Sequence, residues 1–271
     1  MKQKKFRIFA KNYPPPTIIY YLLTINYKRM PRIDSNNPTP FAQLLAGLDA
    51  TQKEALYEAG AQLVSENRRA LIDRIAPLRT RHITVALEDV YQSHNAAAVL
   101  RSCDCFGIQD VHVVERNNPF NPAGDVAVGS SKWVDYYPYP DIQSAYAELR
   151  RRGYRIVATT PHTNDTLITD LDISTPVALI FGTELTGLTP EAIDLADEYV
   201  KIPMYGFTES FNISVSVALS LFNLTTRLRH SSHQTIMQSS NQLLDLKLHW
   251  LAQTIRDGEQ VLLSLNHNLA H

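Results

Sequence analysis

The central part of this 271-residue sequence predicts a parallel α/β sheet, and three observations carry that fold class. Short apolar runs recur from residue 83 onward: ITVALEDV, VHVVE, RIVATT, VALIFG and YVKIPM. They are nearly continuous in hydrophobic residues, as strands buried on both faces are. Between them, near 95–106, 142–152, 190–196 and 214–229, apolar residues fall at helical spacing, and strands alternating with helices build βαβ units. Finally, a hydrophobic fraction of 44% over this length is enough for one large domain or one domain with extensions.

The elements follow in order. Residues 1–29 carry seven basic side chains (Lys2, Lys4, Lys5, Arg7, Lys11, Lys28, Arg29) and no acid. Their apolar run, 17–25, is far short of the about 20 residues a membrane helix needs. No small-residue cleavage site follows it. MPRIDSNNPTPFAQ reads as an ordinary beginning, so 1–29 is expected to be a mis-called or disordered tail. A short helix is expected over 41–48. Thr51 and Glu54 then form a capping box. Leu56, Leu63, Val64, Leu71, Ile72 and Ile75 continue a helical stripe that ends before Pro77. After the α/β stretch, a polar link leads to a leucine-rich amphipathic helix over 243–265, with Gly258 as its expected break.

The segment SHNAAAVLRSCDCFG, 93–107, is a helix of small residues that carries one asparagine and one arginine. With Asn95 at its start and Gly107 closing it, Val99, Leu100 and Cys103 face the core. Arg101 points elsewhere. Cys103 and Cys105 are too close to staple the chain and have no metal spacing, which fits a reducing compartment. The nine histidines show no HExxH spacing, so no metal is expected. The net charge of −1 leaves −8 outside the basic tail. An acidic body disfavours non-specific nucleic-acid binding unless a local patch overrides it.

Open α/β sheets bind ligands at the carboxyl ends of their strands. Neither the dinucleotide fingerprint nor a GxxxxGK[ST] phosphate loop is present, and EDVYQSHN after the first strand has no glycine. The glycines come later. IFGTELTGLTPE, 180–191, brackets Glu184 between Gly182 and Gly187, where a missing side chain permits close backbone approach. KIPMYGFTESFNISVSVAL presents Glu209, Ser210 and Asn212 before another small-residue helix. Each motif alone also fits an ordinary turn or packing helix.

Taken together, Asn95-x5-Arg101, Phe181-Gly-x-Glu184-x-x-Gly187 and the Ile202-Pro-Met segment running to Ser210 and Asn212 resemble the SPOUT class of RNA methyltransferases. They match its SpoU branch, which methylates ribose 2′-hydroxyls. The resemblance spans about residues 80–230, and VGSSKW at 128–133 further resembles the tRNA subgroup that modifies guanosine 18. It implies an α/β fold with a deep trefoil knot, flanked by N- and C-terminal helices. It also implies S-adenosylmethionine (AdoMet) as cofactor, held at Thr159, Gly182, Ile202 and Phe211. Phe211 departs from the leucine common there in relatives. Arg101 is implied as the catalytic residue, with Asn95 orienting it or the RNA, Glu184 pairing with it, and Ser210 and Asn212 fixing the ribose. Guanidinium stays protonated, so Arg101 fits a stabiliser of the developing alkoxide better than a base.

The expected organisation is therefore a tail (1–29), a helical RNA-binding extension (30–80), a methyltransferase domain (81–230) and a C-terminal helical extension (231–271). Arg68, Arg69, Arg74, Arg79 and Arg81 form the expected phosphate-contacting patch, joined by Lys132 of VGSSKW. The expected function is 2′-O-methylation of tRNA by a cytoplasmic, metal-free homodimer that does not enter membranes. The dimer follows from the family and from the apolar surplus of Leu243, Leu244, Leu246, Leu248, Trp250 and Leu251. The alternatives are a ribosomal RNA ribose methyltransferase and an RNA-binding protein of this fold that has lost catalysis.

Overall fold

A computed structural model describes residues 33, 37–120, 129–161, 165–183, 185–231 and 239–269. The tail expected at 1–29 lies outside them.

Three helices come first: α1 Pro40–Gly47, α2 Ala50–Ala61 and α3 Glu66–Ile75. The expected single stripe from 51 to 75 is two helices. Ser65 starts the second by accepting a hydrogen bond from the Arg68 N–H, a new N-cap that breaks the first. The capping box at α2 is also two positions earlier than expected, Asp49 with Gln52.

The sheet follows: β1 Ile83–Glu88, α4 Ser93–Phe106, β2 Asp110–Val114, β3 Asp135–Tyr139, α5 Ile142–Arg151, β4 Arg155–Thr159, β5 Thr166–Leu167, β6 Val177–Phe181, α6 Pro190–Asp194, β7 Glu198–Lys201 and α7 Ile213–His230. Among the described residues it has seven strands in the order β3-β2-β1-β6-β4-β7-β5. Every pair is parallel. Strands β1 and β6 are buried at every position, as the continuous apolar runs require. Strand parity divides the core. Val85, Leu87, Val111, Val113 and Leu179 pack with α4 and α7. Ala86, Val114, Ala178 and Ile180 pack with α5 and α6. Gly107 ends α4 at φ 79°, the left-handed value that glycine takes cheaply.

The last two helices are α8 Ser240–Thr254 and α9 Gly258–Leu269. The expected break falls just before Gly258, where Asp257 has φ 51°. Leu246, Leu248, Trp250 and Leu251 are buried against Phe41, Leu56, Tyr57 and Leu262. The flanking helices from both ends of the chain thus share one core, and of the apolar residues expected to need burial by the core or by a partner, Leu246, Leu248, Trp250 and Leu251 find it inside the chain.

The amino ends of β1, β2 and β3 are closed by an ionic network. Arg81 donates to Asp110 (2.9 Å) and to Asp135 (2.9 Å). Arg79, 1% exposed, donates to Gln109, to the Asp104 carboxylate at 2.7 Å and to the Trp133 carbonyl at 2.6 Å. Its guanidinium also lies over the Trp250 ring. This one side chain ties α4, the loop before β3 and the helical layer together.

Candidate active site

At the opposite end, the carboxyl ends of β4, β6 and β7 open into a cleft of about 430 Å³, within the usual range for small-molecule sites. Thr159, Gly182, Ile202, Ser210 and Phe211 all line it, beside Thr160, Leu188 and Met204. Thr159 Oγ1 donates to the Ile180 carbonyl at 2.7 Å, which leaves its oxygen lone pairs to face the cleft.

The wall after β6 is a closed turn. Thr183 and Gly187 exchange backbone hydrogen bonds of 3.0 Å each way, and Gly187 has φ 70°. A Cβ on Gly182 would lie 2.1 Å from the Gly187 carbonyl carbon. Glycine at 182 is therefore demanded by the loop folding back on itself, and only through that by whatever the loop holds. Glu88, 4% exposed at the end of β1, secures the far side of the turn. Its carboxylate accepts from the Thr189 N–H at 2.9 Å and from the Thr189 hydroxyl at 2.6 Å.

The asparagines of the first and third motifs meet. Asn212 Nδ2 donates to Asn95 Oδ1 at 3.3 Å, and Asn95 Nδ2 donates to Gln92 Oε1. Asn212 Oδ1 accepts from the Ser214 N–H at 2.9 Å and from its hydroxyl. The Asn212 amide is thus the N-cap of α7 and a tie to α4, so contact with a ribose is at most a second task for it. Ser210 remains exposed at the cleft.

Arg101 is exposed on α4 and does not line the cleft. It sits about 9 Å along the helix from Asn95 at 1.5 Å per residue. No hydrogen bond or ion pair to another described residue holds its guanidinium. Glu184, expected to pair with it, lies outside the described residues.

The arginine patch divides. Arg79 is interior, and Arg81 is part-buried in its ion pairs with Asp110 and Asp135. Both are corrected from phosphate contacts to structural ties: the Arg79 guanidinium is enclosed by Gln109, Asp104 and the Trp133 carbonyl, and Arg81 commits its Nε and Nη2 donors to the buried Asp110 and Asp135. Arg69 donates to both Glu58 oxygens, at 2.6 and 2.7 Å. Arg68 lies over the Trp133 ring at 5.4 Å, next to Lys132, while Arg74 is exposed. The helix patch and residues 129–133 are one surface, at the amino end of the sheet. No cluster of metal-ligating side chains exists among the described residues, and none of their helices is long and apolar enough to cross a membrane.

Residues 82–222 match the SpoU rRNA Methylase family. The chain belongs to that family. A Borreliella burgdorferi protein named tRNA (guanosine(18)-2′-O)-methyltransferase is 39% identical over 73% of this chain and 90% of its own length. Proteins of the same name from Thermus thermophilus (36% identical) and Escherichia coli (32%) match over 58% and 65% of this chain and over 81% and 77% of their own lengths. A Nitrosomonas europaea protein named 23S rRNA (guanosine-2′-O-)-methyltransferase is 33% identical over 61% of this chain and 65% of its own length. Among solved structures, the Aquifex aeolicus TrmH/SpoU tRNA modifying enzyme superposes with a TM-score of 0.65 at 24% identity, covering 70% of this chain and 98% of that one. At that identity the likeness concerns the fold: a parallel sheet flanked by helices.

Sequence reasoning missed Glu88 and the lining residues Thr160, Leu188 and Met204. Glu88 was detectable in principle, since a carboxylate ending a wholly apolar strand must find buried donors. The others carry no signal apart from their neighbours.

Proposed function

We propose that this SpoU-family chain transfers a methyl group from AdoMet to the ribose 2′-hydroxyl of guanosine 18 in tRNA. The carrying observation is the coincidence at one end of the sheet of the cleft, the Gly182–Gly187 turn and the Asn95–Asn212 tie. The tRNA substrate rests on the relatives so named, whose full lengths this chain covers more completely than that of the ribosomal RNA relative.

The cleft fits the cofactor's chemistry. Ile202, Leu188 and Phe211 offer apolar walls for an adenine, and backbone near Gly182 and Ile202 offers hydrogen bonds along its edge. When bound, AdoMet supplies an electrophilic methyl on sulfur. The chain's own residues then position the ribose and manage its charge. Ser210 is placed to hydrogen-bond a ribose hydroxyl. Arg101 cannot accept the proton, so its part is to stabilise the oxygen as negative charge builds, with a substrate phosphate taking the proton. Glu184 is assigned to hold that arginine, and Arg68, Arg74 and Lys132 to hold tRNA phosphates.

The separation of Arg101 from its own chain's cleft supports a homodimer in which a second copy supplies the arginine. Val215, Leu219 and Phe222, at helical spacing on α7, are 43%, 39% and 60% exposed. A stripe of that kind suits a second copy better than water. The knot of the family and a cytoplasmic location belong to the same proposal. Calorimetric titration of the full chain with AdoMet tests it: the expected result is one site per chain, and absence of binding would contradict it.

A further inference from the structure

The two acids that end β1 face different ways. Glu88 secures the turn beside the cleft. Asp89 is held at φ 53°, a conformation uncommon for any residue but glycine. Its carboxylate accepts from the backbone N–H groups of Asn117 and Asn118, both at 2.8 Å, and from the Asn117 side-chain amide at 2.8 Å. The Asn118 amide reaches back to the Asp89 carbonyl at 3.3 Å. Partial burial pushes the Asp89 carboxyl up, but the donors from Asn117 and Asn118 outweigh it and hold the group below its usual range. Four hydrogen bonds thus fasten the loop after β2 to the segment that leads into α4. Strained backbone kept by so many bonds, next to a site, is a feature with a task.

The fastened loop presents Arg116, exposed and one residue from the tie. No hydrogen bond or ion pair to another described residue holds it. The acid that it senses, Asp141, is engaged as the N-cap of α5 with Ser144. Two residues beyond the tie on the other side stands Tyr91, 75% exposed. The tie therefore brings a loop that carries an exposed cation and a loop that carries an exposed aromatic ring to one rim. The rim occupies the carboxyl ends of β1 and β2, where Glu88 pairs in register with Val114. Strand β1 is the neighbour of β6, so β2 lies about 10 Å from the cleft wall at 4.8 Å per strand.

We infer that Asp89 is a positioning residue, and that it builds a second RNA-contacting surface in which Arg116 meets a phosphate and Tyr91 a base flanking the methylated nucleotide. This rests on the RNA-substrate reading above. It is separate from the Arg68–Lys132 surface, which lies at the amino end of the sheet. An exposed cation with no acid bound to it suits a phosphate, and an exposed ring beside it suits an unstacked base.

The test measures binding of unmodified tRNA across a salt series, AdoMet affinity and steady-state kinetics. Arg116→Ala should weaken tRNA binding several-fold and make the log–log salt slope shallower by about 0.7 to 0.9, one phosphate contact. Arg256→Ala, at a residue 97% exposed on its side chain and remote in sequence from either surface, should leave the slope alone. Tyr91→Ala should lose about tenfold in tRNA affinity, and Tyr91→Phe should keep it. The decisive variant is Asp89→Asn. Removing a negative charge beside RNA strengthens binding if charge alone matters, but it should weaken binding here, because an NH2 replaces the Oδ2 that accepts from the Asn117 amide and the bonds left at Oδ1 lose their charge assistance. The loss should appear in KM for tRNA, with kcat and AdoMet affinity held. Asp89→Asn combined with Arg116→Ala should lose less than the sum of the two single losses, because both act through one surface. Unchanged affinity and slope in Arg116→Ala, or tighter binding in Asp89→Asn, would overturn the inference. A wild-type protein that methylates no tRNA overturns the substrate reading instead, and the same variants then read the rim on ribosomal RNA.

Discussion

The two ends of the sheet are built in opposite ways. At the amino end, Arg79 and Arg81 are consumed by Asp104, Asp110, Asp135 and backbone carbonyls, and the helical layer closes over them. At the carboxyl end, acids fasten loops and the cations stay loose: Glu88 holds Thr189, Asp89 holds Asn117 and Asn118, while Arg101 and Arg116 remain exposed. Beneath the helical layer the arginines are tied into structure, whereas those at the carboxyl end stay exposed. An arginine's neighbours, more than its position in the sequence, decide which kind it is.

Five variants test that contrast. The largest effect should come from Gly182→Val. Its Cβ would collide with the Gly187 backbone at 2.1 Å, and both partners are main chain, so the turn has to open. Cofactor binding should vanish by calorimetry while the thermal midpoint moves by a few degrees. Unchanged affinity would remove this turn from the pocket.

Next comes Arg101→Ala. Turnover should fall about 10²–10³-fold with AdoMet affinity kept, as loss of an electrostatic stabiliser does. Turnover near that of the wild type would make Arg101 a surface residue like any other.

The interior of the sheet should respond to acid instead. Burial holds His112 down to about 3, and its ring is stacked on Tyr137 and Tyr139. As pH falls below about 6.5 the unfolded chain takes up a proton there that the folded chain refuses. Stability therefore drops from that point until the folded value near 3 is reached. Urea titrations between these limits should show the drop, and His112→Phe should flatten it. An identical acid profile in the variant would contradict the buried neutral imidazole.

Smallest is the combined Arg74→Ala/Lys132→Ala variant, which should flatten the salt slope of tRNA binding by about 1 to 2 units. Arg69→Ala should change it less, because Glu58 already occupies that guanidinium.

How much of this was legible follows from the physics of each signal. Strands β1, β2, β4, β6 and β7 announced themselves as apolar runs. Strand β3 did not, since DYYPY opens with a charge and contains Pro138; that residue is tolerated there because β3 is an edge strand. Strand β5 has two residues, too few for any periodicity. The site motifs were legible as an ordered set, and Thr159, Gly182, Ile202, Ser210 and Phe211 do converge on one cleft. Arg79 and Arg81 could not be told from Arg68 in the sequence, because their partners come from up to 54 positions away. The link between Asn95 and Asn212, 117 residues apart, was hidden for the same reason.

The central claim is that the carboxyl end of this sheet delivers a methyl group to the ribose of guanosine 18. The most direct measurement incubates the full chain with isotopically labelled AdoMet and separated, unmodified tRNA and ribosomal RNA, then maps labelled nucleosides by mass spectrometry of nuclease digests. Label is expected in tRNA alone, as 2′-O-methylguanosine at position 18, and none in a transcript with that guanosine replaced. Label confined to ribosomal RNA, or carried on a base instead of a ribose, would contradict it.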